Sequence, residues 1–243
     1  MRNVITMYRR EVSSYFSSPI VYIFLILFLL AVSAIFFGYF GFFSQASPDV
    51  RMYFELFPLL LAFVCAAISM RLWAEEFRNG TVELLLTWPL RSWELVIAKY
   101  LAGLTIVVLT LVLTIVGPLT VSTVTEIDWG VILSSYLGAF VVSSVYVALG
   151  AWISTFTRNQ VVALLVAAGA SSAIWVVGRR EFIKWLNDLV SLRFGNFLGW
   201  FSPEYHFQEF AKGLINPVGI IYGLGMTAVF LVLNNLFVEG RKY

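Results

Sequence analysis

The amino-acid sequence predicts an all-α integral membrane protein. It has six transmembrane helices, an N-terminal amphipathic interfacial helix, a short transverse helix between the second and third spans, and amphipathic helices between the fifth and sixth. Three observations predict it. Of 243 residues, 60% are hydrophobic and only 12% are charged, about half the charged share of a soluble domain. The charges cluster so that six long apolar stretches remain between them, each of the order needed to cross a bilayer. The polar connections between those stretches carry helical periodicity and helix punctuation instead of loop composition.

Composition also excludes. One His, one Cys and four lysines leave little material for a metal cage, a disulfide framework or a nucleic-acid surface. The expectation is therefore no catalytic residue, no bound cofactor or metal and no nucleic-acid partner. Cys65 lies in an apolar run and is expected to be core packing. The net charge is only +2, so charge matters here by position.

The first element is "MRNVITMYRREVSSYF". At 100° per residue Val4, Ile5, Tyr8, Val12, Tyr15 and Phe16 share one arc, with Arg2, Thr6, Arg9, Arg10 and Ser13 elsewhere, which predicts an interfacial helix over residues 1–18. No small-residue cleavage site follows the first long apolar run, so that run is expected to stay in the membrane. Its charge-free stretch extends from Val12 to Pro48 and is densest from Ile20 to Phe43. The second span is the shortest, Leu56 to Met70, and must draw on flanks such as Tyr53 and Trp73. Charge-free stretches follow at Tyr100 to Thr125, Trp129 to Thr157, Asn159 to Gly178 and Gly213 to Val238. Pro58 and the Gly117-Pro118 pair are expected to kink or locally unwind their helices. Gly169 and Ala173, with small residues around them, let the fifth span approach another helix closely.

Orientation follows from the basic residues. With the N-terminus inside, the cytoplasmic side receives Arg2, Arg9, Arg10, Arg71, Arg78, Arg91, Lys99, Arg158, Arg241 and Lys242, ten of the 16 Lys and Arg. The other side receives Arg51, Arg179, Arg180, Lys184, Arg193 and Lys212, five of them in the connection from Gly178 to Lys212. Both termini are thus expected in the cytoplasm. In that outer connection "EFIKWLNDLVSLRF" sets Phe182, Ile183, Trp185, Leu186, Leu189 and Val190 against Arg180, Lys184, Asn187, Asp188 and Ser191, a second amphipathic segment within residues 179–212. Glu55 is expected to be solvated at the outer interface. His206, beside Glu204 and Glu209, is a weak basis for a metal site.

The most polar interruption is "EEFRNGTVELLLTWPLRSWELVIAKY", Glu75 to Tyr100. Here "RLWAEEFRNG" continues the second span out of the membrane, so that Glu75, Glu76 and Arg78 project from its end, and Asn-Gly breaks the helix. Thr81 then caps a short helix with Glu83 in its positive first turn, and Pro89 ends it. Ser92 starts the next helix, with Glu94 in its first turn, and that helix runs through Lys99 into the third span. Val82, Leu84, Leu85, Leu86, Trp88 and Leu90 are more apolar than a solvated connection needs, and such a patch marks a docking surface.

This stretch resembles the signature of the type-2 ABC exporter permeases: an acidic pair, Gly-Thr, a glutamate with leucines, a Pro, then a basic residue leading through a Lys. Here these are Glu75, Glu76, Gly80, Thr81, Glu83, Leu84, Leu85, Pro89, Arg91 and Lys99. The likeness extends to the order of elements over residues 1–243, read as a single permease domain. Within that family, "YRREVSSYFSSPIVYIFLILFLL", with Arg10-Glu11, is most similar to the gliding-motility-associated GldF group. The resemblance implies that residues 73–93 hold a cytoplasmic coupling helix seated in a groove of an ATPase subunit. In that reading Glu75, Glu76, Arg78, Gly80, Thr81, Glu83, Leu84, Leu85, Pro89 and Arg91 serve coupling, and Arg9, Arg10 and Glu11 belong to the interfacial helix. It further implies two permease copies, identical or homologous, meeting through the second and fifth spans near Gly169 and Ala173. Two ATPase copies carrying ATP and Mg, the bacterial inner membrane, lipid contact and a periplasmic auxiliary protein complete the expected setting. The sequence agrees by omission, since none of Lys99, Lys184, Lys212 and Lys242 follows a glycine and no phosphate-binding loop is present. Glu76 and Arg78 are open to two roles, pairing with the ATPase or tying the connection to Arg9 or Arg10.

Three functions fit: the permease half of an ABC exporter, a membrane subunit through which an ATPase does mechanical work on envelope proteins, and a membrane enzyme or plain anchor. No paired intramembrane carboxylates, H-E-x-x-H or G-x-S-x-G support the enzyme. A capped, Pro-terminated docking helix is superfluous in an anchor.

Overall fold

The computed structural model describes residues 2–39, 51–81, 91–189 and 194–240. Among them every regular element is helical. In chain order these are α1 (Arg2–Phe16), α2 (Pro19–Ser33) continuing as a π-helical turn (Ala34–Tyr39), α3 (Arg51–Glu55), α4 (Phe57–Ser69) and α5 (Arg71–Asn79). Then follow α6 (Ser92–Thr114), α7 (Val116–Ser122), α8 (Trp129–Ser154), α9 (Gln160–Gly178), α10 (Arg180–Leu189), α11 (Phe194–Trp200), α12 (Pro203–Phe210) and α13 (Pro217–Glu239). Six helical stretches are long and apolar enough to cross a membrane: Pro19–Gly38, Phe57–Asn79, Ser92–Ser122, Trp129–Ser154, Gln160–Gly178 and Pro217–Glu239. These are the six predicted spans in order.

Their termini are punctuated as the residue types require. Asp128, Asn159 and Asn216 each cap a span by accepting from backbone N–H groups two or three residues on, at 2.8 Å from Gly130, 2.9 Å from Val161 and 2.9 Å from Val218, which satisfies donors otherwise orphaned at a helix start. At Pro58 the helix is locally unwound, as expected: α3 and α4 are separated at Leu56, and Pro58 lies in the first turn of α4, where a missing N–H costs nothing.

Span 4 (α8) is the axis of the bundle. It packs on spans 2, 3, 5 and 6 and on α12, while span 5 packs on span 2 and span 1 on span 2. Ala139, Val142, Tyr146, Val147, Ala148 and Ala151 on span 4 are buried, as are Leu61, Ala62, Cys65 and Ile68 on span 2; Cys65 is therefore core, as expected. The short second span needs less lipid-facing surface because protein surrounds it. Spans 1, 5 and 6 lie on the outside, with residues such as Ile26, Leu165 and Ile221 more than half exposed.

Two breaks in the long helices have side chains that repair them. Pro118 removes the N–H that would bond the Thr114 carbonyl four residues earlier, and the helix breaks at Ile115 between α6 and α7. The Tyr53 hydroxyl donates to that carbonyl at 2.9 Å, so the expected kink at Gly117-Pro118 is formed and its freed acceptor is satisfied. A Cβ at position 117 would lie 2.7 Å from the Tyr53 hydroxyl oxygen, so glycine admits the repair. The second break is at Met70, between α4 and α5, where no proline occurs. Ser154 of span 4 inserts its hydroxyl there, donating to the Met70 carbonyl at 3.1 Å and accepting from the N–H groups of Trp73 and Ala74 at 3.2 and 3.0 Å. A side chain inserted into the i→i−4 ladder is a recognised cause of a bend. The hydrogen-bond ladder of span 2 is thus interrupted at Met70, a point termed the elbow below, and span 4 holds it.

Helix α1 is docked more firmly than an interfacial helix would be. Met7 and Tyr15 are buried, with Val4, Tyr8 and Val12 partly buried, on a face that packs along α6. Tyr8 shares a hydrogen bond with Thr105 at 2.8 Å, and the Tyr15 hydroxyl donates to the Ile68 carbonyl at 2.7 Å. Ile5 and Phe16, assigned to the same apolar arc from sequence, are instead about half exposed. The arc is split between protein and lipid-facing surface.

Candidate functional site

The elbow of span 2 and the start of span 3 bring together the residues on either side of 82–90. At the centre is Lys99, 1% exposed. Its Nζ donates to Glu11 Oε1 at 3.0 Å and to Glu76 Oε1 at 2.8 Å, and stands 5.2 Å from the centroid of the Trp73 ring. One cation therefore joins α1, the end of span 2 and the start of span 3. A buried ammonium is tolerable only when its donors are answered, and two carboxylates and an aromatic face answer them here.

A second set of contacts straps α1 across the elbow. Arg71 Nε pairs with Glu75 Oε2 at 2.9 Å, one turn along α5, and the Arg71 guanidinium lies 5.7 Å from the centroid of Tyr15. The expectation that Glu75, Glu76 and Arg78 all project outward is thus corrected. Glu75 is held along its own helix, Glu76 turns inward to Lys99, and only Arg78 is exposed. Tying to the N-terminal helix does occur, and its centre is the Lys99 bridge to Glu11; Arg10, with an exposed side chain, adds an electrostatic attraction on Glu76 from the rim. A span must bury its last turn where α1 covers it, and the polar residues there pair with one another instead of with water.

The break at Asn-Gly and the helix start at Ser92 are as predicted; the helix that Thr81 was expected to cap and Pro89 to end falls outside the described residues. Gly80 closes α5 in the left-handed conformation, φ +68°, its N–H donating to the Glu76 carbonyl, a geometry that glycine adopts without penalty. Thr81 Oγ1 reaches back to the same carbonyl at 3.5 Å. On the far side α6 begins at Ser92, and Glu94 Oε2 accepts from the Arg91 N–H at 3.1 Å, leaving Arg91 exposed at the cap position. Glu83, Leu84, Leu85 and Pro89, with the rest of 82–90, lie outside the described residues, as does Val190.

Sequence reasoning named Lys99 as part of a motif and missed what it does. The signal was present: an ionisable residue two turns inside a long apolar helix has a partner or a function. Met7, Trp73, Tyr15 and Ser154 carried no such signal, because their roles are set by which helices meet.

On span 5, Ala163, Ala167, Ala168 and Ser171 are buried against the bundle, whereas Val162, Val166, Gly169 and Ala173 are exposed at helical spacing. A Cβ at Gly169 would meet nothing within 4 Å. Span 2 exposes Phe63 and is otherwise mostly enclosed.

The opposite end of the bundle holds a cleft of about 430 Å³ between α3, the start of α10 and α12. Arg179 stands in it among three carboxylates: Glu181 Oε2 at 3.4 Å, Glu55 Oε1 at 3.7 Å and Glu204 Oε1 at 3.8 Å. All three are ion pairs longer than good hydrogen bonds. Glu55, expected to be merely solvated, is one of them. Glu204 is 2% exposed; its Oε1 accepts from Gln208 Nε2 at 3.3 Å, while its buried Oε2 has no hydrogen-bond partner. Burial pushes the Glu204 carboxyl up to about 7, against the opposing pull of Gln208, Arg179 and Trp175. His206 is stacked on Tyr222 at 4.2 Å, its Nε2 bound to the Trp200 carbonyl at 3.0 Å, and burial lowers its pKa. Glu209 accepts from Asn216 Nδ2 at 2.7 Å, so the two carboxylates beside His206 in sequence face different partners.

The shift at Glu204 predicts a stability profile. The folded protein keeps this proton up to about pH 7, whereas an unfolded glutamate releases it near its ordinary pKa, about 4.3. Between those values the folded state binds the extra proton, so stability falls as pH rises through the window and is flat above it. The expected loss is roughly 3 kcal/mol. Thermal unfolding of detergent-purified protein from pH 4.5 to 8 checks it: Glu204→Gln should flatten the slope, and an unchanged slope refutes the assignment.

A family model described as ABC-2 family transporter protein matches residues 5–236, from α1 almost to the end of span 6. No curated protein matches the chain.

Proposed function

The chain belongs to the ABC-2 transporter family, and from that premise we propose that it is the permease subunit of an ATP-driven exporter, with residues 73–93 holding the helix that docks on the ATPase. The family implies association with an ABC ATPase subunit. In this reading ATP and Mg are held by two such subunits, and two permease copies meet along the exposed Val162, Val166, Gly169 and Ala173 face of span 5. Both termini and residues 73–93 face the cytoplasm of a bacterial inner membrane, and α10 to α12 face out. Single cysteines at Asn79 and Asn187 in a Cys65→Ala background are expected to label from opposite sides; labelling of both from one side overturns the topology.

The observation that carries the reading is the Lys99 junction. Span 2, span 3 and α1 meet in one buried charge cluster, and spans 2 and 3 are the helices that flank the apolar segment in the chain, so a push transmitted to either has a stiff connection to three helices. The experiment is Leu85→Asp, which would bury an unpaired carboxylate in a docking groove at a cost of several kcal/mol. The ATPase is expected to dissociate, or to hydrolyse ATP without responding to cargo, while membrane insertion is unchanged. Normal stoichiometry with full coupled activity overturns it. The second reading, mechanical work on envelope protein as in the gliding-type group, calls for a large periplasmic partner in the same detergent pull-down.

A further inference from the structure

Arg179 stands where three helix ends meet. It is itself the break between span 5 and α10, in extended backbone at φ −70° and ψ 136°. Glu55, 3.7 Å from its Nη2, closes α3 next to the break at Leu56. Glu204, 3.8 Å from its Nη1, lies in the first turn of α12. Two nitrogens of one guanidinium thus face opposite walls of the cleft, and neither is at the distance of a good hydrogen bond.

The walls are anchored more firmly than the helix that Arg179 begins. On α3, Phe54 is buried and Tyr53 donates to the Thr114 carbonyl of span 3. On α12, Phe207 and Phe210 pack at Gly138 of span 4, and the Ser134 hydroxyl donates to the Phe210 carbonyl at 2.6 Å. Helix α10, by contrast, buries only Ile183. It rests on α11, where Asn187 accepts from the Gly195 N–H at 2.9 Å, and its first turn reaches α12 through Arg180 Nε donating to Gln208 at 2.7 Å. Few buried apolar contacts mark a segment that shifts at low cost.

The two carboxylates differ in their access to water: Glu55 is half exposed and Glu204 is sealed. Burial therefore pushes Glu204 up to about 7, while Arg179 favours its ionised form and Glu55 its neutral form. Such coupling is reciprocal. Ionising Glu204 draws Arg179 toward α12 and repels Glu55; protonating it leaves Arg179 to Glu55. The other groups facing Glu204 are Trp175 on span 5, Tyr146 on span 4 and Gln208, which connects it to Arg180. Arg51, Glu181 and Lys212 stand at the rim. Tyr222 on span 6 and Glu209 on α12 face His206 and Asn216.

We propose that Arg179 is a two-position strap over the cleft: with Glu204 protonated it ties the start of α10 across to Glu55 on α3, and with Glu204 ionised it turns to α12 and leaves α10 parted from α3. The strap changes hands near neutral pH, so this end of the bundle responds to the acidity of its own side of the membrane. It stands whether or not residues 73–93 dock on an ATPase.

The test measures the distance from α10 to the bundle in the purified full chain in detergent. Spin labels are placed on Asp188→Cys in α10 and Thr123→Cys at the end of α7, both exposed positions, in a Cys65→Ala background, and read by pulsed electron spin resonance. Two distances are expected. The ratio of the longer to the shorter should rise about tenfold from pH 6 to pH 8, the size of a one-unit pKa difference at Glu204 between the two positions. Glu204→Gln should keep the pH 6 distribution at both pH values, which also separates Glu204 from His206 as the titrating group. Should that variant not yield folded protein, Glu55→Gln should give the pH 8 distribution at both. Glu181→Gln, on an exposed side chain of α10 itself, should keep the parent's response. A parent distribution that ignores pH, a folded Glu204→Gln that still responds, a Glu55→Gln that retains the pH 6 distance, or a Glu181→Gln that loses the response overturns the strap.

Discussion

Lys99→Met is expected to cost about 3–5 kcal/mol of stability, the range for removing one partner of a buried ion pair. The methionine fills most of the lysine's volume, so packing against Trp73 changes little and the loss is electrostatic. What remains is Glu11 and Glu76, both with side chains only 14% exposed, facing one another with no cation between. Their remedies are protonation or separation of α1 from span 2, and either loosens the elbow. The diagnostic variant is Lys99→Met with Glu11→Gln and Glu76→Gln. Neutralising the whole cluster removes the repulsion and should recover most of the unfolding temperature, because a complete buried charge network is worth far less than the cost of breaking it. Coupled ATPase activity should not recover with it, since the three helices then lack the shared cation. A single Lys99→Met protein within about 1 kcal/mol of the parent would mean the cluster is solvated and holds nothing together.

The same cluster marks the limit of what could be read without coordinates. Six spans were legible because a helix in lipid must satisfy its backbone internally and present apolar side chains over about 20 residues, and charge-free stretches report that directly. The punctuation around 82–90 was legible because Asn-Gly at 79–80 and Glu94 in a first turn act locally. The inward turn of Glu76 was not. Sequence reading takes a charge at a helix end as a marker of solvent, and a buried triad of Glu11, Lys99 and Glu76 reverses the inference. The Glu204 cleft was invisible for another reason. Glu55, Arg179 and Glu204 are far apart in the chain, and no periodicity links the start of span 2, the end of span 5 and α12.

Gly150→Ala should be the most damaging single methyl in the transmembrane core, at about 4 kcal/mol from overpacking and the hydrogen bonds it strains. A Cβ at position 150 on span 4 would lie 2.0 Å from Ser69 Oγ and 2.8 Å from Ser69 Cβ on span 2. Rotating the Ser69 hydroxyl away relieves the first contact and leaves the second, so the helices themselves must part. Ser69 is fully buried and precedes the Met70 break. One turn beyond Gly150, Ser154 donates to the Met70 carbonyl and accepts from Trp73 and Ala74. Separating spans 2 and 4 at Gly150 therefore lengthens the bonds that hold the elbow one turn away. In a membrane, where helix association depends on close packing and not on exclusion from water, no other force closes the gap. Ser69→Gly in the same protein removes the opposing side chain. The propensity cost of a glycine in place of serine at 69, about 0.5 kcal/mol, is offset by the gain of about 1 kcal/mol from an alanine at 150, so the double variant should unfold within about 1 kcal/mol of the parent. Unfolding midpoints in detergent decide it: a Ser69→Gly/Gly150→Ala protein as unstable as Gly150→Ala alone would show that the added methyl meets some other obstacle, and that contact between these two positions does not set the approach of spans 2 and 4.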